Sequence, residues 1–314
     1  MAARDISFAS FNLLNLQLPG DAVYGDTDGW DADIYQRKID FTATTLERLD
    51  ADVIGLQELW AGAALDEALT EAGMASDYAA LVPSDHEDDK IVCAAAVRRD
   101  MLVGEPEWIT DFPPEYVLKT GGDDPQQDFL EVNLSTFSRP VLHFQVQPDS
   151  RTPVIHVFVC HFKSRRPTQI WRERSWYEKE VHGPHATALG YAISTVRRTA
   201  EAAALRVLVT QLTKTTDTPV VLIGDMNDGK DSNTLNILSE QPTYLSPLSS
   251  GAVTTRSTPR RPCRNTARSA MCTTPMSTRG SAKAWTTSCS ARSSMTTPSG
   301  ANGPLTRCWC RTII

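Results

Sequence analysis

Residues 220–229 read Val-Val-Leu-Ile-Gly-Asp-Met-Asn-Asp-Gly. Four apolar residues of high β propensity, followed by a glycine and a carboxylate, predict a buried strand that ends in Asp225, with Asn227 two residues further on. Earlier in the chain, three other apolar, strand-like runs also end in a polar residue: Asn12, Glu58 and His161.

If these strands are neighbours, their carboxyl ends converge and bring the polar side chains together. Mg²⁺ prefers one or two carboxylates together with water and substrate phosphate oxygens, and Glu58 with Asn12 nearby supplies such ligands. Phosphodiester hydrolysis then needs an oriented water and stabilisation of the charge that develops in the transition state. The four strand ends are therefore candidates for a phosphoesterase site.

Segments with strand-like and helix-like periodicity alternate around these strands. Apolar residues recur at helical spacing in residues 35–49 and about 185–212, and a short helix is expected from Ser232. Further strands are expected at 90–97 and 129–136. The alternation predicts an α/β fold with several antiparallel strand pairs.

The four strand ends resemble successive motifs of the endonuclease/exonuclease/phosphatase superfamily: Ser10-Phe-Asn-Leu, Gly55-Leu-Gln-Glu-Leu, His161-Phe-Lys-Ser and Gly224-Asp-Met-Asn-Asp. The resemblance covers roughly residues 5–245, and Phe137-Ser-Arg-Pro-Val adds a weaker fifth motif, similar to one in bacterial members. The resemblance implies an α/β fold built as a four-layer α/β/β/α sandwich, with the site at one edge of the two sheets.

The resemblance also implies roles for the strand-end residues. Glu58 resembles the principal Mg²⁺ ligand, with Mn²⁺ as an alternative metal, and Asn12 resembles the residue that supports metal and phosphate. His161 resembles the histidine that hydrogen-bonds the scissile phosphate. Asp225 and Asn227 resemble the pair that positions the attacking water and stabilises the transition state. Taken alone, Glu58 can be explained as an ordinary surface acid and Asn12 as a residue that caps a turn. The four motifs together favour the functional interpretation.

Basic residues complete the implied site. Arg139 resembles a phosphate-binding arginine, and Lys163 is assigned to the substrate phosphate with it. Lys163 also begins a basic stretch that is able to attract a polyanion and that continues with Arg165, Arg166, Arg172 and Arg174. An ordinary solvated face explains this stretch equally well.

Charge is divided unevenly along the 314-residue chain. Residues 1–240 carry 21 Lys and Arg against 38 Asp and Glu, whereas residues 241–314 carry ten basic residues, no acid and no histidine. We therefore expect a catalytic-type domain at 1–250 and a Ser/Thr/Arg-rich tail at 251–314 whose composition permits disorder. Such a tail leaves the second sheet incomplete, with an unpaired inner edge.

The acid-free tail lacks the Asp-His and the supporting Asp that the superfamily needs. A one-base shift of reading frame forces Asp at the positions of Thr286 and Thr296 and forces Leu-Val at Trp309 and Cys310. The same shift permits Asn-Asp-His at 312–314. We hypothesise that the tail is frameshifted; the alternative is a genuine disordered tail.

Composition excludes several other classes. A net charge of −7 argues against a basic nucleic-acid coat, and no apolar run is long enough to span a membrane. We therefore expect a cytoplasmic monomer without a membrane partner, in which Cys93 and Cys160 are buried, reduced thiols.

The sequence predicts a Mg²⁺-dependent phosphodiester or phosphate-ester hydrolase. The preferred prediction is an endonuclease- or exonuclease-like nuclease that acts on nucleic acid, with its activity impaired by the missing Asp-His. The alternatives are a phosphatase or sphingomyelinase acting on a small molecule or lipid headgroup, and a catalytically dead protein that binds phosphorylated ligands.

Overall fold

The computed structural model describes residues 6–24, 29–86, 88–121, 125–173, 175–214, 216–229 and 232–239, and the backbone of two short strands at 284–288 and 311–312. The strands are β1 (Ile6–Leu16), β2 (Val53–Leu59), β3 (Tyr78–Leu81), β4 (Val92–Arg98), β5 (Leu102–Asp111), β6 (Lys119–Thr120), β7 (Leu130–Glu131), β8 (Thr136–Val146), β9 (Ile155–His161), β10 (Val220–Asp225), β11 (Ala284–Ser288) and β12 (Arg311–Thr312). The helices are α1 (Ala32–Leu49), α2 (Gly62–Glu71), α3 (Lys179–His182), α4 (Ala186–Thr213) and α5 (Asn233–Ser239).

Two sheets of five strands form the centre of the molecule. The first has the order β12-β1-β2-β4-β3 and the second the order β11-β10-β9-β8-β5. β1 and β2 run parallel in the first sheet, and β9 and β10 run parallel in the second. Glu58, His161 and Asp225 lie at or next to the carboxyl ends of β2, β9 and β10, whereas Asn12 lies within β1.

Apolar side chains fill three layers of contact around these sheets. Phe8 and Val53 of the first sheet pack against Phe144 and Val157 of the second, which closes the two sheets face to face. On the outer face of the first sheet, α1 and α2 bury a separate cluster, and α4 and α5 do the same on the second. The predicted four-layer α/β/β/α sandwich is confirmed.

Gly55 marks a close approach between the two sheets. A Cβ atom at this position would lie 2.7 Å from Cδ1 of Ile223 on β10. Gly55 lies three residues before Glu58 and Ile223 lies two residues before Asp225, so the approach brings the ends of β2 and β10 toward each other.

The predicted strand at 129–136 is wrong. Only Leu130–Glu131 is paired there, with β6, and the long strand β8 begins at Thr136. The alternation misleads because its apolar members are not all buried: Phe129 is 65% exposed and Leu130 is 53% exposed.

The second sheet is partly incomplete, as predicted, but its inner edge is not left unpaired. Ala284–Ser288 of the acid-free tail pairs in parallel with β10, from Val220 to Gly224. The sequence Ala-Trp-Thr-Thr-Ser contains aromatic and β-branched residues, which favour strands and which outweigh the polar composition of the tail as a whole. The other predicted features of 251–314 lie outside the described residues.

Cys93 and Cys160 are buried, unpaired thiols, as expected. Burial raises the pKa of Cys93 to about 12, so this thiol is held in its protonated form. In the part of the chain that the structure describes, none of the helices is both long and apolar enough to cross a membrane.

Candidate active site

The side chain of Asn12 on β1 contacts β2 in its own sheet and β10 in the other sheet. Its amide Nδ2 donates to Oε1 of Glu58 at 2.9 Å and to Oδ2 of Asp225 at 3.2 Å. Asn12 and Asp225 are only 3% and 4% exposed, so both contacts are shielded from solvent. The three side chains therefore converge, but Asn12 is not at the end of its strand as predicted: β1 continues to Leu16, and Asn12 lies where its regular pairing with β2 stops.

The backbone around this cluster is held in an unusual conformation. Glu58 and Asn227 have φ angles of 61° and 50°, in the left-handed region that non-glycine residues rarely adopt. Local hydrogen bonds hold the turns: Asn227 N–H donates to Oδ1 of Asp225 and Leu14 N–H donates to Oδ1 of Asn12. Strained residues of this kind concentrate at functional sites, where the surrounding structure fixes them.

His161 lies at the end of β9 beside the same cluster. Its Nε2 is 3.8 Å from Oε1 of Glu58, and the residue is 4% exposed. Asn227 Nδ2 donates to the carbonyl of Phe162, and Phe162 N–H donates to the carbonyl of Asp225. These two bonds fix the ends of β9 and β10 against each other.

Gly224 allows this close contact between β9 and β10. Its φ is +141°, and a Cβ atom there would overlap the carbonyl oxygen of Cys160. The Gly-Asp pair of the fourth motif thus has a steric explanation, because a side chain at 224 would push Asp225 away from His161.

The donor set of the cluster suits a hard divalent cation. Glu58 and Asp225 bring two carboxylates to one amide group, and Mg²⁺ needs one or two carboxylates, the remaining positions being filled by water and substrate oxygens. Within the described residues, no group of three or more His, Cys, Asp or Glu side chains forms a complete protein cage for a metal. Glu58 and Asp225 are therefore the residues of this cluster that could hold a divalent cation.

Arg139 and Lys163 lie beside His161, outside the hydrogen-bonded cluster. Arg139 Nη1 donates to the carbonyl of Phe162 at 3.2 Å, while its buried Nε has no hydrogen-bond partner. Burial, followed by the charge of Arg139, lowers the pKa of Lys163. The two cations are thus close enough to interact, which favours an anion between them.

The rest of the basic stretch is divided in its contacts. Arg165 donates to the carbonyl of Asn227 and to the carboxylate of Asp228, so it braces the turn after β10. Arg166 and Arg172 are exposed. Arg174 lies outside the described residues.

A buried carboxylate that the sequence analysis missed organises the basic side of the site. Glu201 on α4 is 1% exposed, and its two carboxylate oxygens accept from the backbone N–H groups of Ser138 and Lys163 at 2.9 and 2.7 Å. Ser138 precedes Arg139, and Lys163 follows His161 by two residues. Glu201 therefore fixes both segments that carry the basic side chains. The signal in the sequence is a lone acid within the apolar run Ala200-Glu-Ala-Ala-Ala.

Lys38 on α1 is a second missed residue, and it lies on the acidic side. It is 3% exposed, and its Nζ donates to the carbonyl of Leu13 at 2.8 Å and lies 5.0 Å from the ring centre of Trp30. Burial lowers the pKa of Lys38 to about 8, although the negative charge of Glu58 acts in the opposite direction. Lys38 thus places a buried cation behind Asn12 and Glu58.

The chain was compared with protein-family models and with known proteins. The model of the Endonuclease/Exonuclease/phosphatase family matches residues 9–279, which extends past residue 250 into the acid-free tail. No curated protein matches the chain significantly.

The solved structures that match this chain include the following three. An endonuclease/exonuclease/phosphatase family protein from Bacteroides thetaiotaomicron is 15% identical, with 76% of this chain and 69% of that chain covered and a TM-score of 0.41. Humanized D. rerio TDP2 is 16% identical, with coverages of 74% and 70% and a TM-score of 0.42. ANGEL2, described as a 2',3'-cyclic phosphatase, is 16% identical, with coverages of 76% and 57% and a TM-score of 0.43.

The family match spans most of the chain and includes all four strand-end motifs. By this match the chain belongs to the Endonuclease/Exonuclease/phosphatase family, whose members are phosphoesterases and nucleases.

Proposed function

We propose that the chain is a divalent-metal-dependent phosphodiester hydrolase, foremost a nuclease acting on nucleic acid. One observation carries the proposal: the amide of Asn12 donates to both Glu58 and Asp225, which joins three strands from two sheets in one polar centre. Buried polar groups are costly unless they are paired, so a cluster of this kind at strained strand ends indicates function rather than stability.

In this proposal Glu58 and Asn12 hold the metal, and Mg²⁺ is the preferred ion, with Mn²⁺ as a substitute. When bound, the metal neutralises charge on the phosphate oxygens. The oxygen donors of Glu58 and Asp225 support a hard cation of this kind.

His161, Asp225 and Asn227 act on the phosphate and the water. A hydrogen bond from His161 stabilises the scissile phosphate, and Asp225 orients the attacking water. Asn227 keeps Asp225 in place through its backbone N–H, which donates at 2.8 Å. Arg139 and Lys163 add positive charge where the substrate phosphate gathers negative charge.

The tail lacks one group that this reaction needs, a general base for the attacking water. Residues 241–314 contain no Asp, Glu or His, so within this part of the chain nothing is available as a general base for water. A general base contributes about 10²–10⁴-fold to a rate. We propose that residues 1–250 form the phosphoesterase domain, and that the frameshifted tail has removed this contribution.

In the register of β11, residue 286, which the shifted frame turns into Asp, pairs with Leu222, three residues before Asp225. The restored Asp-His at 313–314 lies outside the described residues.

A binding-only function is the second candidate. It is favoured by the absence of acids and histidines after Glu240. In this case Asn12, Glu58, Arg139 and His161 still hold a phosphorylated ligand, without turnover.

The test compares hydrolysis of a plasmid, of single-stranded circular DNA and of bis(p-nitrophenyl) phosphate by the full chain and by a frame-restored chain, with Mg²⁺, Mn²⁺ or EDTA. We expect metal-dependent hydrolysis that is about 10²–10⁴-fold faster in the frame-restored chain. His161→Ala abolishes it, whereas the exposed control His185→Ala does not.

Three outcomes separate the candidates. Hydrolysis of the generic diester while both the plasmid and the single-stranded DNA stay intact replaces the nuclease with a small-molecule phosphoesterase. Ligand binding without turnover in either chain favours the binding-only function. Hydrolysis that is indifferent to EDTA and to His161→Ala contradicts the proposal.

A further inference from the structure

A cleft of about 800 Å³ opens directly beside the candidate active site. Arg139 and Lys163 belong to its wall, so the cleft is continuous with the basic side of the site. Its volume lies within the range of about 300–1,000 Å³ that is usual for small-ligand sites. Its wall also contains four aromatic side chains: Tyr24, Trp60, Trp176 and Tyr177.

Tyr24 and Trp60 form a rigid aromatic corner in this cleft. Their ring centres are 5.2 Å apart and nearly perpendicular, and Trp60 is 4% exposed with its Nε1 donating to Oδ1 of Asn15. Tyr24 stands on this fixed ring and is 48% exposed. An aromatic ring that is held from one side and open on the other is a suitable surface for stacking a flat ligand.

Tyr24 also lies within electrostatic range of the phosphate-binding groups. Burial and then the charge of Glu58 raise the pKa of Tyr24, while Arg139 and Arg166 lower it. Tyr24, Arg139 and Lys163 line the same cleft, so a ligand that stacks on Tyr24 has cations beside it for a phosphate.

The charges of the cleft select the kind of ligand. The described lining includes four cations, Lys90, Arg139, Lys163 and Arg197, against the two acids Asp89 and Glu173. A positive excess favours an anion with an aromatic body. It disfavours a lipid headgroup with a quaternary ammonium, because that group would meet cations instead of a purely aromatic cage.

We propose that this cleft binds an unpaired nucleobase of a single-stranded nucleic acid, next to the phosphate held at the Asn12–Glu58–His161 centre. The inference rests on the proposed phosphodiesterase function and narrows its substrate to single strands. Aromatic side chains stack on bases of any sequence, while cations follow the backbone. A base inside a duplex has both faces covered by its neighbours, and so it cannot stack on Tyr24.

The test measures binding, because binding does not depend on turnover. Fluorescence anisotropy in EDTA compares a labelled thymidine oligonucleotide with an abasic oligonucleotide of the same length, each with the full chain. The two strands carry the same phosphates, so any difference reports the bases. We expect the thymidine strand to bind at least about fivefold more tightly, which is the lower end for one stacked base.

Two variants test whether the aromatic side chains of the cleft bind the base. Tyr24→Ala and Trp176→Ala are each expected to reduce the preference for the thymidine strand while leaving the affinity for the abasic strand unchanged. Trp176 is 77% exposed, so its replacement does not disturb the fold. Tyr191→Ala is the matched control, because Tyr191 is 51% exposed and lies outside the cleft.

Equal binding of both strands, or a preference that survives both variants, overturns the inference. Tight binding of a duplex, or displacement of the strand by phosphocholine, overturns it as well. A different result would show that the proposed function itself fails. If Arg139 binds the substrate phosphate, Arg139→Ala lowers the affinity for the thymidine strand and for the abasic strand alike; if the proposed function is wrong, both affinities stay unchanged.

Discussion

The acidic and the basic sides of the site are supported by buried charges of opposite sign. On the acidic side, the ammonium of Lys38 lies behind Asn12 and Glu58 and donates to the carbonyl of Leu13. On the basic side, the carboxylate of Glu201 lies behind Arg139 and Lys163 and accepts from two backbone N–H groups. Each buried charge thus faces functional groups of the other sign.

The contrast between Lys38 and Glu201 shows how the fold keeps unlike charges close together. A buried charge is expensive unless hydrogen bonds and opposite charges compensate it. Here the compensation comes from backbone groups in the segments that carry the site residues. The supports therefore position the site, and their removal is expected to disturb one side without the other.

The largest effect is expected where the two sides meet. Asp225→Ala removes the carboxylate that Asn12 contacts across the sheets, and we expect kcat/KM for phosphodiester hydrolysis to fall by about 10²–10³-fold, as is usual when a group that stabilises the transition state is lost. Steady-state kinetics on the frame-restored chain measures it. Glu47→Ala, an exposed acid on α1, is the control. A loss of less than about threefold would separate Asp225 from the chemistry.

The second largest effect is expected when the buried carboxylate of Glu201, on the basic side, is removed. Glu201→Ala leaves the N–H groups of Ser138 and Lys163 without their acceptor, and the free energy of unfolding falls by about 3 kcal/mol. Glu201→Gln, which keeps one accepting oxygen, loses about half as much. Urea unfolding measures both. If neither variant differs from the wild type, Glu201 does not organise this side.

Removal of the support on the acidic side has a smaller effect that depends on pH. Lys38 has a pKa of about 8 in the folded chain, against 10.5 when unperturbed. Between these values the unfolded chain binds more protons, so the free energy of unfolding rises with pH. We expect a gain of about 2 kcal/mol between about pH 7 and 10.

Lys38→Met is expected to remove this gain. The raised pKa of Tyr78, about 12, is common to both proteins and cancels in the comparison. Urea unfolding across the same pH range measures the difference. Parallel pH profiles would show that Lys38 is not a buried cation in solution.

The smallest effect concerns the contact that sets the distance between the sheets. Gly55→Ala places a Cβ against the flexible end of Ile223, and we expect a destabilisation of about 1 kcal/mol. Gly62→Ala is the matched control, because its Cβ would meet Val82 at an ordinary 3.4 Å. Thermal unfolding compares them. Equal melting temperatures would mean that the sheets are not closely apposed at Gly55.

The sequence indicated the single site residues because a polar residue after an apolar run is visible in a short segment. Their convergence is not local, since Asn12 and Asp225 lie 213 positions apart, and it was expected only on the condition that the strands are neighbours. Arg139 could be assigned only by resemblance, since its contact with Phe162 spans 23 residues.

The two buried supports could not be predicted in the same way. Glu201 contacts residues 63 and 38 positions away in the chain, and Lys38 contacts one 25 positions away. In the sequence both residues belong to ordinary helices. Only the packing of α1 and α4 against the sheets shows which charged residues turn inward. The wrong strand prediction at 129–136 arises from the reverse situation: there, apolar residues that alternate in the sequence are exposed in the structure.

The central claim is that Asn12, Glu58, His161 and Asp225 form one centre for metal and phosphate. Calorimetric titration of the full chain with Mn²⁺, with and without inorganic phosphate, tests it most directly. We predict saturable Mn²⁺ binding that Glu58→Gln weakens by at least about tenfold, and phosphate binding that His161→Ala abolishes while Mn²⁺ binding remains. Identical titrations for the wild type, Glu58→Gln and His161→Ala would contradict the account.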